Sequence, residues 1–313
     1  MAHADKHRIL HPPQHGFRKD LSCDTQLVEF VDDVTKNLDS GKQTDCLIMD
    51  FSKAFDKVCH SLLIHKLHHY GIRGKTNRWI QSFRRDRNQS VVVEGETSNS
   101  IPVESGVPQG SVLGPSLFLY YINDMAENIR SKTRLFADDT IVYLTITSDS
   151  SVSLQDDLNK LAKWEERWNI SFHPEKCNVL TISRKKQPIM TSYTLHGQQL
   201  EHVTTAKYLG VSITSDMNWN QHISNICKKA NNIMSFLKRN LNIRNANIKE
   251  KAYKSLVRPT LEYACTTWDP YLKEDKSRIE RYVVNRYHNT SSVTNMLEEL
   301  KWPTLEERRQ RAD

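Results

Sequence analysis

No apolar run in the 313-residue sequence approaches the roughly 20 residues that cross a bilayer. Residues 1–20 are too polar and too rich in histidine to act as a signal peptide. The expectation is an intracellular protein of the nucleus or cytoplasm, neither secreted nor bound to a membrane. Cysteine is sparse and scattered. Cys23, Cys46, Cys59, Cys177, Cys227 and Cys265 form no CxxC pair, which excludes a zinc framework and a disulfide scaffold. His65, His68 and His69 lie close together, but without an HExxH helix they read as solvated helix positions. There is no GxxxxGK[ST] phosphate loop, no internal repeat and no low-complexity tract.

What is present suits a soluble globular chain able to bury a large core: 38% hydrophobic and 26% charged residues. The 44 Lys and Arg exceed the 37 Asp and Glu, giving +7. That excess points weakly to an anionic partner such as nucleic acid, although many soluble proteins are mildly basic.

Periodicity places the elements. "DTQLVEFVDDVTKNLDSGKQ" opens with Asp24 as a cap, repeats apolar residues at Leu27, Phe30, Val31, Val34 and Leu38, and closes at Gly41, which predicts a helix. "TDCLIMDF" reads as a buried strand ending in an acid. Helices follow at "SLLIHKLHHYGI" and "KTNRWIQSFRRDR", then a hairpin of Val91–Val93 with Ile101–Val103. "SGVPQGSVLGPSLFLYYINDMAENI" is a Gly/Pro loop entering an apolar helix, and "RLFADDTIVY" is strand, acidic turn, strand. "SLQDDLNKLAKWEERWNI" sets Leu154, Leu158, Leu161, Trp164 and Trp168 on one helical face. "CNVLTIS" and "KYLGVSI" read as two short strands. From Trp219 onward the pattern is basic and helical, the helix "IKEKAYKSLVRP" stopping at Pro259, and a domain boundary falls near Thr214. The fold class is α+β, turning all-α toward the C-terminus.

Asp138 and Asp139 stand side by side between apolar runs, and Asp50 ends the strand "CLIMD". Two carboxylates about 4 Å apart repel by roughly 4 kcal/mol at an effective dielectric of ~20, so a cation is needed to hold them. Acids at strand ends suit Mg²⁺, which prefers oxygen ligands. Two such ions can clamp the attacking and leaving oxygens of a phosphoryl transfer. The plain alternative is an acidic turn facing water.

The ordered segments "QHGFRKDLSCDTQL", "DFSKAFDKV", "SGVPQGSVLGPSLF", "RLFADDTIVY" and "KYLGVSI" resemble the reverse transcriptases of non-LTR (LINE-type) retrotransposons, from Gln14 to the C-terminal "KWPTLEERRQR". The resemblance implies a right-hand polymerase. Residues 1–213 would be a partial fingers and the palm, 214–258 a helical thumb, and 259–313 a C-terminal helical extension. Asp50, Asp138 and Asp139 would be the catalytic, metal-binding aspartates for two Mg²⁺ ions, with Mn²⁺ as a possible substitute. Phe55 would be the steric gate against a 2′-hydroxyl, its alternative being a core aromatic. Gln109 would line the nucleotide pocket, Arg18 would meet the triphosphate, and Lys176 would protonate the leaving group or be a solvated surface lysine. Where many relatives have "GFRKGRS" this chain has "GFRKDLS", so Asp20 and Leu21 replace a glycine and a basic residue. Tyr208 and Gly210 would fall in the primer-grip hairpin that follows the palm. Lys228, Lys229, Lys238 and Arg239 would face the duplex backbone, or simply form a solvated helix face.

The implied partners are an RNA template, a DNA primer and dNTPs, with no obligate protein partner. The sequence begins just before "QHGFRK", and the helix leading to "TSSVT" is shorter than the family's. The expectation is therefore an N-terminally truncated enzyme, weakly active or inactive as it stands. The rival reading is an inactive retroelement remnant that only binds nucleic acid. An RNA-templated RNA polymerase is disfavoured by the aromatic at Phe55.

Overall fold

Gln43–Met49 (β1) is buried along nearly its whole length on both faces, so it has to lie in the interior of a sheet. In the computed structural model, which describes residues 2–147, 151–240, 245–281 and 303–311, that is its position. The other strands are Lys132–Phe136 (β2), Asp139–Ile146 (β3), Asn178–Ile182 (β4) and Glu201–Val203 (β5), in the order β5-β4-β1-β3-β2. β1 pairs antiparallel with both β3 and β4, β2 with β3, and β5 runs parallel to β4. Two register pairs matter for function. Met49 faces Thr140 across β1 and β3, and Phe136 faces Asp139 across the β2–β3 hairpin. The residue after β1 is Asp50, and the turn of the hairpin holds Asp138. Register alone therefore brings the acids to one end of the sheet.

Packing divides the chain into Met1–Gln26 with Lys36–Val203, and Leu27–Thr35 with Thr204–Asp313. In the first unit the apolar helix Leu113–Ile122 buries Leu117, Phe118, Leu119, Tyr120, Tyr121 and Ile122. The helix Ser151–Trp168 buries Leu154, Leu158, Leu161 and Trp168, with Trp164 half-buried, as its spacing predicts. Each leucine removed from water contributes roughly 1.5–3 kcal/mol.

Several elements differ from the sequence expectation. The helix Cys23–Asp39 is capped by Ser22 in a reciprocal box with Thr25, not by Asp24, because Ser22 is the residue with extended backbone. The Val91–Val93 segment does not pair with Ile101–Val103. Instead Val92–Val93 pairs with Glu96–Thr97 inside an outer pairing of Asn88–Gln89 with Ile101–Pro102, since Glu94 and Gly95, both at positive φ, make the tighter turn.

"KYLGVSI" is a hairpin rather than one strand: Thr205–Tyr208 and Val211–Thr214 flank Leu209 and Gly210, again both at positive φ. This hairpin groups with the second unit, ten residues before the expected boundary near Thr214, because it is tied to the helix Asn220–Asn240. The Ser212 N–H donates to His222 Nδ1 (3.2 Å), and Asn225 Nδ2 donates to Ser212 Oγ (3.1 Å). Pro259 does not stop the preceding helix. A π-helical turn, Tyr253–Val257, follows Ala246–Ala252, and Pro259 lies in the first turn of Arg258–Glu262, where its missing N–H is not needed. The segment "TSSVT" lies outside the described residues.

Lys66 is a buried cation in the first unit, only 3% exposed. Its ammonium donates to the Tyr121 carbonyl and to Asp124 (2.5 Å) and lies 3.5 Å from the centre of the Trp168 ring. Burial lowers its pKa to about 8, with Asp124 opposing the shift. Between pH 8 and about 10.5 the unfolded chain keeps a proton that the folded chain has released, so stability rises with pH across that window. Below pH 8 the cost of burying the charge is fully present. Comparing denaturant midpoints of wild type and Lys66→Met from pH 8 to 10.5 should show a rise of at most about 1.4 kcal/mol per pH unit, present only in wild type.

Candidate active site

Asp50 leaves β1 and is fixed from the far side of the chain. Its carbonyl accepts the His173 N–H (2.8 Å), the Ser52 N–H donates to the Ser171 carbonyl (2.8 Å), and Phe51 bridges to Phe172. The turn that follows, Pro174–Lys176, brings Lys176 Nζ to 3.4 Å from Asp50 Oδ2. Lys176 thus supplies one positive charge at the acids, although both side chains remain well exposed.

Asp138 sits in the two-residue turn between Phe136 and Asp139 and is partly buried. Burial raises its carboxyl above the ordinary range. A hydrogen bond from its own backbone N–H opposes this, and the charge of Asp50 adds to it. Asp50 and Asp138 therefore feel each other. Asp139 begins β3 and is exposed. Among the described residues no group of three His, Cys, Asp or Glu side chains is arranged to hold a metal, so the three expected aspartates are not gathered into one cluster. What the register brings to the same end of the sheet is the end of β1, which leads into Asp50, and the hairpin turn that holds Asp138, near enough for the Asp50 charge to act on Asp138. The two carboxylates, with the Asp138 carboxyl raised by burial and one exposed lysine on Asp50, offer oxygen donors of the kind a hard divalent cation takes.

Phe55 stacks on Phe118 with ring centres 4.4 Å apart, and is half-buried. Its segment is stitched to the "SGVPQG" loop: the Val107 N–H donates to the Phe55 carbonyl (2.8 Å), and the Gly106 N–H to the Val58 carbonyl (2.9 Å). Gly106 has φ of +88°, and a Cβ there would lie 3.0 Å from the Asp56 backbone. Glycine is required on both counts. Gln109 is exposed and donates from Nε2 to Asp56 Oδ1 (2.9 Å). Sequence reasoning passed over Asp56, whose only signal is its place as the second acid of "DFSKAFD". A cavity of about 770 Å³ opens here, lined by Lys53, Asp56, His60, Arg84, Arg87 and Gln109 among others.

Arg18 does not reach toward the acids. Its Nη1 donates to the carbonyls of His11 (3.4 Å) and Gln14 (3.2 Å), so it is held by its own segment. Lys19 pairs at the surface with Asp20 (3.9 Å).

In the second unit Tyr208 is buried edge-on to Phe30, with centres 5.8 Å apart. Gly210, at φ +83°, lies against Tyr263, whose hydroxyl donates to the Leu209 carbonyl (2.9 Å). Lys228, Lys229, Lys238 and Arg239 are exposed on the helix Asn220–Asn240. At ~100° per residue, Lys228 and Arg239 fall on one stripe, opposite the face that buries Ile223, Ile226, Ala230 and Met234.

Because the folded pKa of Asp138 is raised, the unfolded chain loses that proton first as pH rises. Stability then falls through the carboxylate range, and the penalty is complete above the folded pKa. Asp138→Asn should therefore raise the metal-free melting temperature at pH 7. The gain should shrink toward zero as pH approaches about 4, the ordinary carboxyl value. Equal melting temperatures at pH 7 would contradict the burial of this charge.

The pattern of the reverse transcriptase (RNA-dependent DNA polymerase) family matches residues 2–213. The chain is 29% identical over 286 residues to the RNA-directed DNA polymerase from mobile element jockey of Drosophila melanogaster. That alignment covers 85% of this chain and 30% of the relative. Against the jockey polymerase of Drosophila funebris the identity is 30% over 265 residues, covering 80% and 29%. The chain thus spans about a third of the length of these relatives. Apo telomerase from Candida tropicalis superposes with a TM-score of 0.51 at 11% identity, over 90% of this chain and 47% of that one. Telomerase from Candida albicans with a fragment of telomeric RNA gives 0.50 at 11%, over 96% and 55%. The fold is that of a right-hand polymerase, and the chain belongs to the reverse transcriptase family, in its non-LTR retrotransposon branch.

Proposed function

We propose that this chain carries the palm and thumb of an RNA-directed DNA polymerase, which extends a DNA primer on an RNA template with dNTPs. The observation that supports the reading is the sheet register that pairs Met49, the residue before Asp50, with Thr140 near the Asp138 turn, in a chain of this family. In this reading residues 1–213 supply the palm and part of the fingers, 214–258 the thumb, and 259–313 a helical extension. Reverse transcriptases use divalent metal ions. Asp50 and Asp138 would hold the cation, with Asp139 assisting as a more solvated donor and a second ion completing the pair. Bound Mg²⁺, or Mn²⁺ in its place, would supply charge neutralisation for nucleotidyl transfer.

The chain's own residues do the rest. Lys176, already on Asp50, can release that carboxylate and carry a proton toward the departing pyrophosphate. Phe55, backed by Phe118, presents a rigid ring edge where a 2′-hydroxyl would sit. Gln109 and the glycines beside it would line the nascent pair, and Arg18 would have to leave the carbonyls of His11 and Gln14 to meet the triphosphate. Tyr208 and Gly210 would shape the primer grip. The stripe of Lys228 and Arg239, flanked by Lys229 and Lys238, would take the duplex backbone in a salt-sensitive contact.

Primer extension on poly(rA)/oligo(dT) with Mg²⁺ tests the reading. Asp138→Ala should abolish incorporation while the fold persists, since losing a ligand worth ~4 kcal/mol is on the order of a thousandfold in rate. An unchanged rate would remove Asp138 from the chemistry. If instead wild type binds duplex yet never extends it, the chain is a binding remnant.

Phe55→Val should admit ribonucleotides. The ratio of kcat/KM for dTTP over UTP should fall by roughly tenfold or more, since excluding one hydroxyl by bulk is worth about 1–3 kcal/mol. A ratio that stays put would make Phe55 core packing.

A further inference from the structure

Gln14 is 3% exposed, and its side-chain oxygen accepts two backbone N–H groups: Gly16 at 2.8 Å and Ala137 at 2.9 Å. The second bond crosses 123 residues of chain to the turn that holds Asp138. Ala137 has φ of +54°, a left-handed conformation that an alanine does not favour. Its N–H would otherwise be a buried donor without a partner.

The backbone around Gln14 makes the same contact. The His15 N–H donates to the Leu135 carbonyl (2.8 Å), the Leu135 N–H to the Pro13 carbonyl (3.1 Å), and Gln14 bridges to Leu135 in parallel. Pro13–Gly16 therefore runs along β2 as a short extra edge and closes over the turn. At Gly16 the approach is so close that a Cβ would lie 2.4 Å from the Ala137 nitrogen. Two-residue hairpins form without outside help when their residues suit the turn. Here the residues do not, because Ala137 stands where glycine or asparagine would be comfortable. The missing preference is supplied from a distant segment.

We propose that Gln14 is a positioning residue for nucleotidyl transfer: its side-chain oxygen holds the Ala137 turn in the conformation that aims Asp138 at Asp50. The proposal rests on the polymerase reading above. Without the Gln14 oxygen, Ala137 can relax toward negative φ, and the peptide that carries Asp138 turns with it. A displacement of about 1 Å at a reacting centre can cost on the order of 10²-fold in rate.

Gln14→Met keeps length and packing but removes the acceptor, whereas Gln14→Glu retains an acceptor oxygen. The measurements are amide hydrogen exchange at Ala137, kcat, the KM for dNTP and the Kd for primer–template. In Gln14→Met, Ala137 exchange should speed by about tenfold or more. Its kcat should fall about 10²-fold while KM and Kd stay within about twofold. Gln14→Glu should keep Ala137 protected and stay within about tenfold of the wild-type rate. Wild-type exchange in Gln14→Met overturns the proposal. So does faster exchange with unchanged kcat, or a loss of Kd and KM in step with kcat, which would mark a general structural role. If Gln14→Met does not fold, Gln14→Glu decides alone, and loss of Ala137 protection there overturns the proposal. If wild type shows no Asp138-dependent extension, the polymerase reading fails separately. Mn²⁺ affinity then decides the clamp: a drop in Gln14→Met supports it, and an unchanged value overturns it.

Discussion

The antiparallel pairing of Gln43–Met49 with Asp139–Ile146 is the constraint on which the site depends. Seven consecutive residue pairs, from Gln43 with Ile146 to Met49 with Thr140, hold the two strands in one register. A slip of one residue would turn every side chain of the buried strand to its opposite face and separate the acids. Burial on both faces of that strand makes such a slip expensive. Core formation and site assembly are thus one event. The helices Leu113–Ile122 and Ser151–Trp168 share one apolar core with Leu47, Met49 and Val142 of the two strands, and that burial favours the register.

The electrostatics follow from that geometry. A strand end and a hairpin turn converge, and the carboxyl at the turn is partly desolvated beside another acid. Lys176, delivered by the segment that bridges to Phe51 and Ser52, offsets one of the two charges. The remaining charge destabilises the fold, and a bound cation would relieve it. Stability is given up where the proposed chemistry would need the charge. The same segment from Pro13 to Gly16 that opens the "QHGFRK" motif also meets the hairpin, so two distant stretches of chain converge on one turn.

Much of this was legible in the sequence. The apolar run of β1, the acid after it, the strand-turn-strand around Asp138 and the leucine face from Leu154 to Leu161 were all readable from period and spacing. The family's ordered motifs supplied the roles proposed for Phe55, Gln109 and Lys176. What escaped depended on contacts between residues far apart in the chain. The bond from Gln109 to Asp56 leaves no periodic trace, nor does the buried ammonium of Lys66 among Tyr121, Asp124 and Trp168. Turn chemistry was hidden from the reading by period, though the family's primer-grip hairpin implied a turn at Tyr208 and Gly210. "KYLGVSI" looks like a strand until Leu209 and Gly210 are both seen to take positive φ. The middle of the Cys23–Asp39 helix packs with the C-terminal unit, a grouping that local pattern cannot reveal.

In the proposed reading Asp50 and Asp138 form one cation-binding pair. It is tested most directly by Mn²⁺ titration of wild type, Asp50→Asn, Asp138→Asn and the double variant, followed by electron paramagnetic resonance. Either single substitution should abolish most of the affinity and the second should add little, a strongly non-additive cycle. Independent, additive losses, or Mn²⁺ binding that survives both substitutions, would contradict it.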